Sequence, residues 1–319
     1  MLISFVVPIY NTEAWLAECI NSILALQGEY AIEIVMVDDA STDNSEQIAR
    51  SFDDPRIRYV RHATNKGAAF TIDECLRLAT GDYVARIDSD DRYLPWFLQR
   101  TVPLLEAHPD VGMVYGDIRM IDPAGAVTCP HLVAAHDGKA WMGDELDDLL
   151  KRNAIPAPTV LARKQAWLDA LPIPAAYSFN DWYLSLEIAK RWKMCYVPEP
   201  LADYRIHQQN MHRSMISNRK GEEITLDILA KYFGMPMRPH HDERFRKQVY
   251  AIQYVSLADK YFGCGLYSDA RRCYVRATAA DPALLLQPAI VRRLLGTCLG
   301  KDGYESAKHL FKRIVGKAG

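Results

Sequence analysis

At 319 residues, 49% hydrophobic and 24% charged, with a formal net charge of -2, the chain has the balance of an ordinary globular protein and no basic excess that would favour a nucleic-acid partner. It is long enough to bury one large core and a smaller one. Its seven cysteines, at positions 19, 75, 129, 195, 264, 273 and 298, are odd in number and never spaced as Cys-x-x-Cys. That argues against a disulfide framework and a zinc ribbon, and for a reducing compartment. The opening Met1-Leu2-Ile3-Ser4-Phe5-Val6-Val7-Pro8 lacks the basic start and long apolar core of a secretion signal and reads as a first strand. No run nears the roughly 20 apolar residues that span a bilayer, so a cytoplasmic location is expected.

Residues 1–120 alternate strand and helix. Ile3–Pro8 reads as a strand, and Thr12 as the N-cap of a helix that places Leu16, Cys19, Ile20, Ile23 and Leu24 on one face. Ile32–Val37 is the next strand, followed by a helix opening at Ser41–Ser45. Ile57–Val60 is strand, 68–79 helix, Tyr83–Ile87 strand, 98–107 helix and Val111–Tyr115 strand. This alternation predicts an α/β protein with a mostly parallel, Rossmann-like sheet sandwiched by helices, which binds ligands beyond the carboxyl ends of its strands. Pro8-Ile9-Tyr10-Asn11, Asp38-Asp39 and Asp88-Ser89-Asp90-Asp91 all fall at such ends.

Residues 121–215 are less regular and rich in proline, and the character changes near 216 to helix without a clear strand. The spacing Ala258, Phe262, Gly265, Ala270, Cys273, Tyr274, Ala277 predicts one tetratricopeptide-like hairpin, acting as a helical appendage. His240 and His241 lie in a polar stretch and read as solvated. The expected division is 1–215 and 216–319.

The most demanding stretch is Asp88-Ser89-Asp90-Asp91, three carboxylates within four residues at the end of an apolar strand. Like charges this close need a cation between them, and hard oxygen ligands suit Mg2+ or Mn2+. The alternative is a solvated acidic turn.

Five segments occur in order: Val7-Pro8-Ile9-Tyr10-Asn11, Val37-Asp38-Asp39-Ala40-Ser41-Thr42-Asp43, Asn65-Lys66-Gly67, Asp88-Ser89-Asp90-Asp91 and Asn180-Asp181-Trp182. Together they resemble the inverting family 2 glycosyltransferases of the GT-A fold over about residues 1–210. The resemblance implies that Tyr10, Pro8, Glu13 and Asp39 hold the nucleotide of a sugar donor. Asp39 with Asp38 also suits capping of the following helix. Lys66 neutralises phosphate or is a solvated turn residue. Asp88 and Ser89 belong to the donor site, and Asp90 is the metal ligand of a DXD motif, binding Mn2+ or Mg2+. In the Tyr204-Arg205-Ile206-His207 segment, His207 is expected to face the metal or diphosphate and Arg205 to face elsewhere.

Asp181 is implied as the base that takes the acceptor hydroxyl's proton, with helix N-capping as its other reading. The family usually has glutamate before this aspartate, whereas this chain has Asn180.

The resulting expectation is transfer of a hexosyl or N-acetylhexosaminyl group from a nucleotide-diphospho-sugar, a UDP-sugar first. The acceptor would be a glycan, lipid-linked or protein hydroxyl, in surface polysaccharide or glycoconjugate synthesis. A non-catalytic nucleotide-sugar-binding scaffold with a partner-binding tail is the alternative. A nucleotidyltransferase would want a Gly-rich phosphate loop, which Pro8-Ile9-Tyr10-Asn11 is not. Residues 304–317 form an amphipathic pattern, and Arg292–Gly319 holds seven Lys/Arg against Asp302 and Glu305. That predicts either a docked terminal helix or peripheral contact with the inner face of the plasma membrane.

Overall fold

A computed structural model of the chain describes residues 1–208, 215–235 and 238–300. It divides into two compact units, Met1–Leu149 with Asn153–Gln208, and Leu150–Arg152 with Gln209–Gly319.

The first unit opens with β1 (Leu2–Ile9), α1 (Leu16–Leu24), β2 (Ala31–Asp38), α2 (Ser45–Arg50), β3 (Ile57–Arg61), α3 (Ala68–Leu78) and β4 (Tyr83–Arg86). There follow β5 (Arg92–Tyr93), α4 (Phe97–Ala107), β6 (Val111–Ile121), β7 (Val127–Leu132), β8 (Trp141–Gly143) and α5 (Leu146–Lys151), in which the division falls. β9 (Leu161–Arg163), α6 (Lys164–Asp169), α7 (Asp181–Ala189) and β10 (Lys193–Arg205) complete it.

The strand order is β3-β2-β1-β4-β9-β6-β10-β5, with β7 on β6 and β8 on β10. β3, β2, β1 and β4 are mutually parallel, as the alternation predicts. Beyond β4 the sheet is mixed, because β9 enters antiparallel to both β4 and β6. A strand as short as Leu161–Arg163 has no periodicity to announce it.

β1 is apolar along most of its length because both faces are covered. Ile3, Phe5, Val7 and Ile9 pack with Leu16, Cys19, Ile20 and Ile23 of α1, and with Phe97, Val102 and Leu105 of α4. The buried residues of α1 recur at the spacing of one helical face. α3 packs on β1 and β2 from the opposite side, burying Ile72, Cys75 and Leu76.

One local expectation is corrected. Thr12 does not cap α1, which starts later, behind Trp15. Only the Thr12 carbonyl serves the turn, accepting from the Trp15 and Leu16 amides at 3.0 Å each. Tyr196-Val197 and Tyr204-Arg205 belong to one strand, β10, whose register shifts around Pro200 absorb the prolines that break its pattern in the sequence.

The second unit contains α8 (Lys220–Phe233), α9 (Glu243–Gly263), α10 (Tyr267–Ala280) and a helical stretch at 288–300, with no strand among its described residues. α9 and α10 form the predicted hairpin. It turns at Gly265 (φ +76°) and buries Leu257, Ala258 and Tyr261 with Ala270, Cys273, Tyr274 and Ala277. Glu222 of α8 ties to the hairpin through Tyr261 (2.9 Å) and Arg272 (2.5 and 2.6 Å). His241 is not solvated. It is buried and stacks on Phe245 with ring centroids 4.4 Å apart. The amphipathic segment 304–317 lies outside the described residues. No helix among the described residues is long and apolar enough to cross a membrane.

Asp39, just beyond β2, fixes the approach to α3. It is 3% exposed, and its Oδ1 is bonded by the Lys66 amide and His62 Nδ1, both at 2.7 Å, while Oδ2 accepts from the Gly67 amide at 2.8 Å. Gly67 holds φ +88° there, a conformation open to glycine. Burial alone would raise the Asp39 carboxyl, but the Lys66 amide, His62 and the Gly67 amide outweigh it and hold the group below the usual carboxylate range.

Two stability predictions follow from this geometry. A Cβ on Gly81 would sit 2.7 Å from the Leu2 carbonyl and 2.8 Å from the Ser4 nitrogen, both backbone atoms of a central strand. Gly81→Ala should therefore lower the unfolding free energy by about 1–3 kcal/mol in denaturant titration. Asp39→Asn removes a charged acceptor and should cost about 1.5–3 kcal/mol at neutral pH. Because the folded Asp39 pKa is depressed, this contribution is present above the unfolded value of about 3.9 and is lost as pH falls through the folded one. The difference between wild type and variant should therefore shrink in acid. A difference independent of pH would contradict the assignment.

Candidate active site

The carboxyl ends of β1 and β2 are laced together by short polar side chains. The Asn11 backbone amide donates to Ser41 Oγ (3.0 Å), and its Oδ1 accepts from the Thr42 amide (2.7 Å). The Thr12 and Glu13 amides donate to Ser45 Oγ (3.0 Å) and Asp43 Oδ2 (2.9 Å). Asn11 (φ 52°) and Ala40 (φ 60°) both sit in the left-handed region, so two strand ends side by side hold strained backbone. Asp38 is fully buried and structural in its contacts, accepting from Ser41, Tyr59 and Arg61.

Among the residues expected at a nucleotide, Tyr10 is 50% exposed beside this edge and Pro8 is half-buried in register with Val37. Glu13 is occupied at Oε2 by the Asn44 backbone and side chain, at 2.8 and 2.7 Å. Asp39 is buried behind the Lys66 turn. The Lys66 ammonium lies 4.3 Å above the Phe70 ring.

The acidic loop after β4 is joined to this shelf by Thr12, whose hydroxyl donates to Ser89 Oγ at 2.9 Å. Asp88 keeps a side chain 41% exposed and takes Arg86 Nη2 at 3.2 Å. Asp90 Oδ2 lies 2.8 Å from His207 Nε2, and the His207 ring stacks on Trp15 with centroids 4.1 Å apart. Asp91 is 2% exposed. Its Oδ1 accepts from the Arg205 amide at 2.8 Å, and its Oδ2 is buried with no hydrogen-bond partner. Burial first, then the charges of Asp90 and Asp88, push the Asp91 carboxyl well above the ordinary range. An orphaned buried oxygen beside two further carboxylates and an imidazole is a donor set that fits Mg2+ or Mn2+.

Arg205 was expected to face away from His207. Both turn to the same loop, because residues two apart on an extended strand share a face. Arg205, 1% exposed, donates through Nε to the Asp90 carbonyl (2.8 Å), through Nη1 to the Asp122 and Pro123 carbonyls (3.2 and 3.1 Å), and through Nη2 to Glu18 (2.6 Å). Glu18 also pairs with Arg92, which shares the fully buried Asp203 with Arg119.

Asp181 is the first residue of α7, where the helix dipole favours a carboxylate. Its Oδ1 accepts from the Trp182 amide at 2.8 Å, and Asn153 Nδ2 lies 3.4 Å from Oδ2. Asn180 before it is 2% exposed and accepts Arg86 Nη1 at 2.9 Å. Arg86 thus links the residue that precedes Asp181 to Asp88 of the acidic loop. Burial, and then the negative charges of Asp91, Asp88, Asp90 and Asp181, raise the Tyr204 hydroxyl, which puts all four carboxylates within electrostatic reach of one phenol. Arg86, Trp15 and Glu18 are residues of the candidate site that the sequence analysis did not single out, while Thr12 was read only as a helix cap and Tyr204 only as part of the segment that carries His207. Arg86 carried a usable signal, as the only charge in an otherwise apolar strand. The partners of the others are distant in sequence.

Residues 4–131 match the family described as Glycosyl transferase family 2. An uncharacterized protein of Mycobacterium tuberculosis is 30% identical over 66% of this chain, which spans 60% of that relative's length. An uncharacterized glycosyltransferase of Nostoc is 30% identical over 70% of each chain. Among solved structures, Staphylococcus aureus TarS 1-349 superposes with a TM-score of 0.67 at 16% identity, covering 98% of this chain and 92% of that one. A second TarS 1-349 structure, in complex with UDP-GlcNAc, gives a TM-score of 0.61 at 15% identity over 98% of this chain and 92% of that one. The mannosyltransferase PcManGT of Pyrobaculum calidifontis, in complex with GDP-Man and Mn2+, gives 0.60 at 19% identity over 95% of this chain and 82% of that one. At such identities the structural likeness is one of fold. Together with the sequence relatives it identifies the chain as a member of glycosyl transferase family 2 with a GT-A fold.

Proposed function

We propose that this glycosyltransferase is inverting and metal-dependent, and that it moves a hexosyl or N-acetylhexosaminyl group from a nucleoside-diphospho-sugar, a UDP-sugar first, to a hydroxyl of a glycan, lipid-linked or protein acceptor. The observation that supports the proposal is the crowded strand end of Asp88, Asp90 and Asp91, with its orphaned buried Asp91 oxygen, tied through Arg86 to Asn180 at the head of the helix that opens with Asp181. One acidic group stands apart on a helix, and three crowd a strand end.

In this reading Tyr10 offers its exposed ring to the base, and Pro8 borders it. Asp39 and Glu13 support the nucleotide pocket, with Asp39 also holding the turn that carries Lys66. Asp88 and Ser89 border the donor, while Asp90 and His207 hold the cation. When bound, the cation neutralises charge developing on the departing diphosphate. Asp181 accepts the proton of the acceptor hydroxyl as that oxygen bonds to the anomeric carbon. The bond from that carbon to the diphosphate oxygen breaks with its electron pair, releasing the nucleoside diphosphate.

The nucleotide sugars bound to TarS and PcManGT support the donor class, and the manganese bound to PcManGT supports the cation. Seven free thiols suit a cytoplasmic setting, and surface polysaccharide or glycoconjugate assembly is the proposed pathway.

Asp181→Asn should lower transfer by about 10²–10⁴-fold while UDP binding persists, and retained turnover would remove the base. Asp90→Ala should weaken manganese-dependent UDP binding by more than about tenfold in calorimetry, and unchanged affinity would count against the cation site. A thermal-shift screen over nucleotide sugars, with and without manganese, identifies the donor. A non-catalytic scaffold would bind UDP with manganese yet hydrolyse no donor, so a hydrolysis assay separates that reading.

A further inference from the structure

Arg86 closes β4 with a side chain 9% exposed, and the proposed chemistry gives it no direct task. Its two terminal nitrogens reach opposite halves of the site. Nη2 lies 3.2 Å from Asp88 Oδ1 and Nη1 lies 2.9 Å from Asn180 Oδ1, while Nε is buried without a hydrogen-bond partner. Asn180 is itself anchored. Its carbonyl accepts from the Leu184 amide of α7 at 2.9 Å, and its side-chain amide reaches the Tyr177 carbonyl at 3.3 Å. The residue that Arg86 grips is therefore bonded into the first turn of the helix that begins with Asp181.

The guanidinium is a rigid planar fork, so the distance between its two acceptors is set by its own geometry. Asn180 is neutral and supplies a dipole, so Asp88 is the only carboxylate that the fork meets. Asp88 is otherwise the most exposed acid of the loop whose side-chain exposure is known, and the fork restrains it. We propose that Arg86 is a positioning residue that holds Asp88 and the Asp181 helix at one fixed separation, and so sets the distance between the donor's diphosphate and the base. This inference rests on the roles given above to Asp88 and Asp181. It adds that the bond-making geometry depends on a residue that touches neither the acceptor nor the diphosphate. Misplacement by about 1 Å is enough to cost on the order of 10²-fold in rate.

The test measures donor hydrolysis and UDP affinity with manganese in wild type, Arg86→Lys, Asn180→Ala, the double variant, Asn180→Asp and Asp181→Asn. Arg86→Lys keeps the charge and loses the fork. Asn180→Ala is the milder change, one that removes a single arm and leaves the buried cation in place. Each is expected to lower kcat by about 10–100-fold with donor KM and UDP affinity held within roughly twofold. The double variant should be no slower than the worse single one, since both remove the same bond. Asn180→Asp restores an acceptor in the same place and should recover part of the loss.

Unchanged kcat in Asn180→Ala and Arg86→Lys overturns the proposal. So do losses that multiply in the double variant, and so does UDP affinity falling in step with kcat, which would put Arg86 on the donor itself. The outcome is separable from the broader reading. Turnover in wild type, none in Asp181→Asn and full turnover in Asn180→Ala removes only the role of Arg86. A wild type inert toward every nucleotide sugar removes both.

Discussion

The site depends on how one buried guanidinium, Arg205, holds the backbone of an acidic loop. Three carboxylates crowd the end of β4, and mutual repulsion would drive such a loop open. Arg205 opposes this from below. Its amide donates to Asp91 Oδ1 and its Nε to the Asp90 carbonyl, so both main chain and side chain are fixed by one residue of β10. A buried cation needs its own compensation, and Glu18 supplies it from α1. Glu18 in turn shares Arg92 with Asp203, and Asp203 shares Arg119. The loop is therefore held by charges drawn from α1, β5, β6 and β10.

What the sequence shows and what it hides divide along range. β1, β2 and β4 are readable because most of their residues are buried on both faces and bounded by polar strand ends, so composition marks them. The acidic clusters are readable for the same reason, since charge at the end of an apolar run has few uses. Contacts across long separations are not readable. The bond from Glu18 to Arg205 spans 187 positions and that from Arg86 to Asn180 spans 94, with nothing local to signal either. Thr12 shows the limit at short range as well. It has the identity of a helix cap, but the left-handed turn at Asn11 delays the helix, and its hydroxyl goes to Ser89 instead. β10 shows it for strands, since prolines that break a pattern are taken up by shifts in register.

The nucleotide edge is rigid where the acidic edge is crowded. Asn11, Thr12 and Glu13 exchange bonds with Ser41, Thr42, Asp43, Asn44 and Ser45, so the segments leaving β1 and β2 brace each other. The left-handed strain at Asn11 and Ala40 is sustained by those bonds. On the proposed reading, a shelf braced in this way loses little freedom when a planar base settles on it, which favours binding without any new contact. Glu13 acts through this bracing, while Asp39 holds the Lys66–Gly67 turn ahead of α3. Tyr10 remains exposed on its surface.

The balance of charge then constrains how a donor arrives. Asp88, Asp90, Asp91 and Asp181 act together on Tyr204, while Arg86 bonds Asp88 through its guanidinium and Arg205 bonds Asp91 through its backbone amide. Each guanidinium is already committed, that of Arg86 to Asp88 and Asn180 and that of Arg205 to Glu18 and the backbone carbonyls of Asp90, Asp122 and Pro123. A diphosphate brings further negative charge to a pocket whose fixed charge is negative. On the proposed reading it must bring a cation with it, or find one there. The same field acts differently on Asp181, which sits at a helix N-terminus and accepts from the Trp182 amide. On the proposed reading the donor end therefore needs an added positive charge, whereas the acceptor end lies at the positive end of a helix dipole, and Arg86 lies between the two.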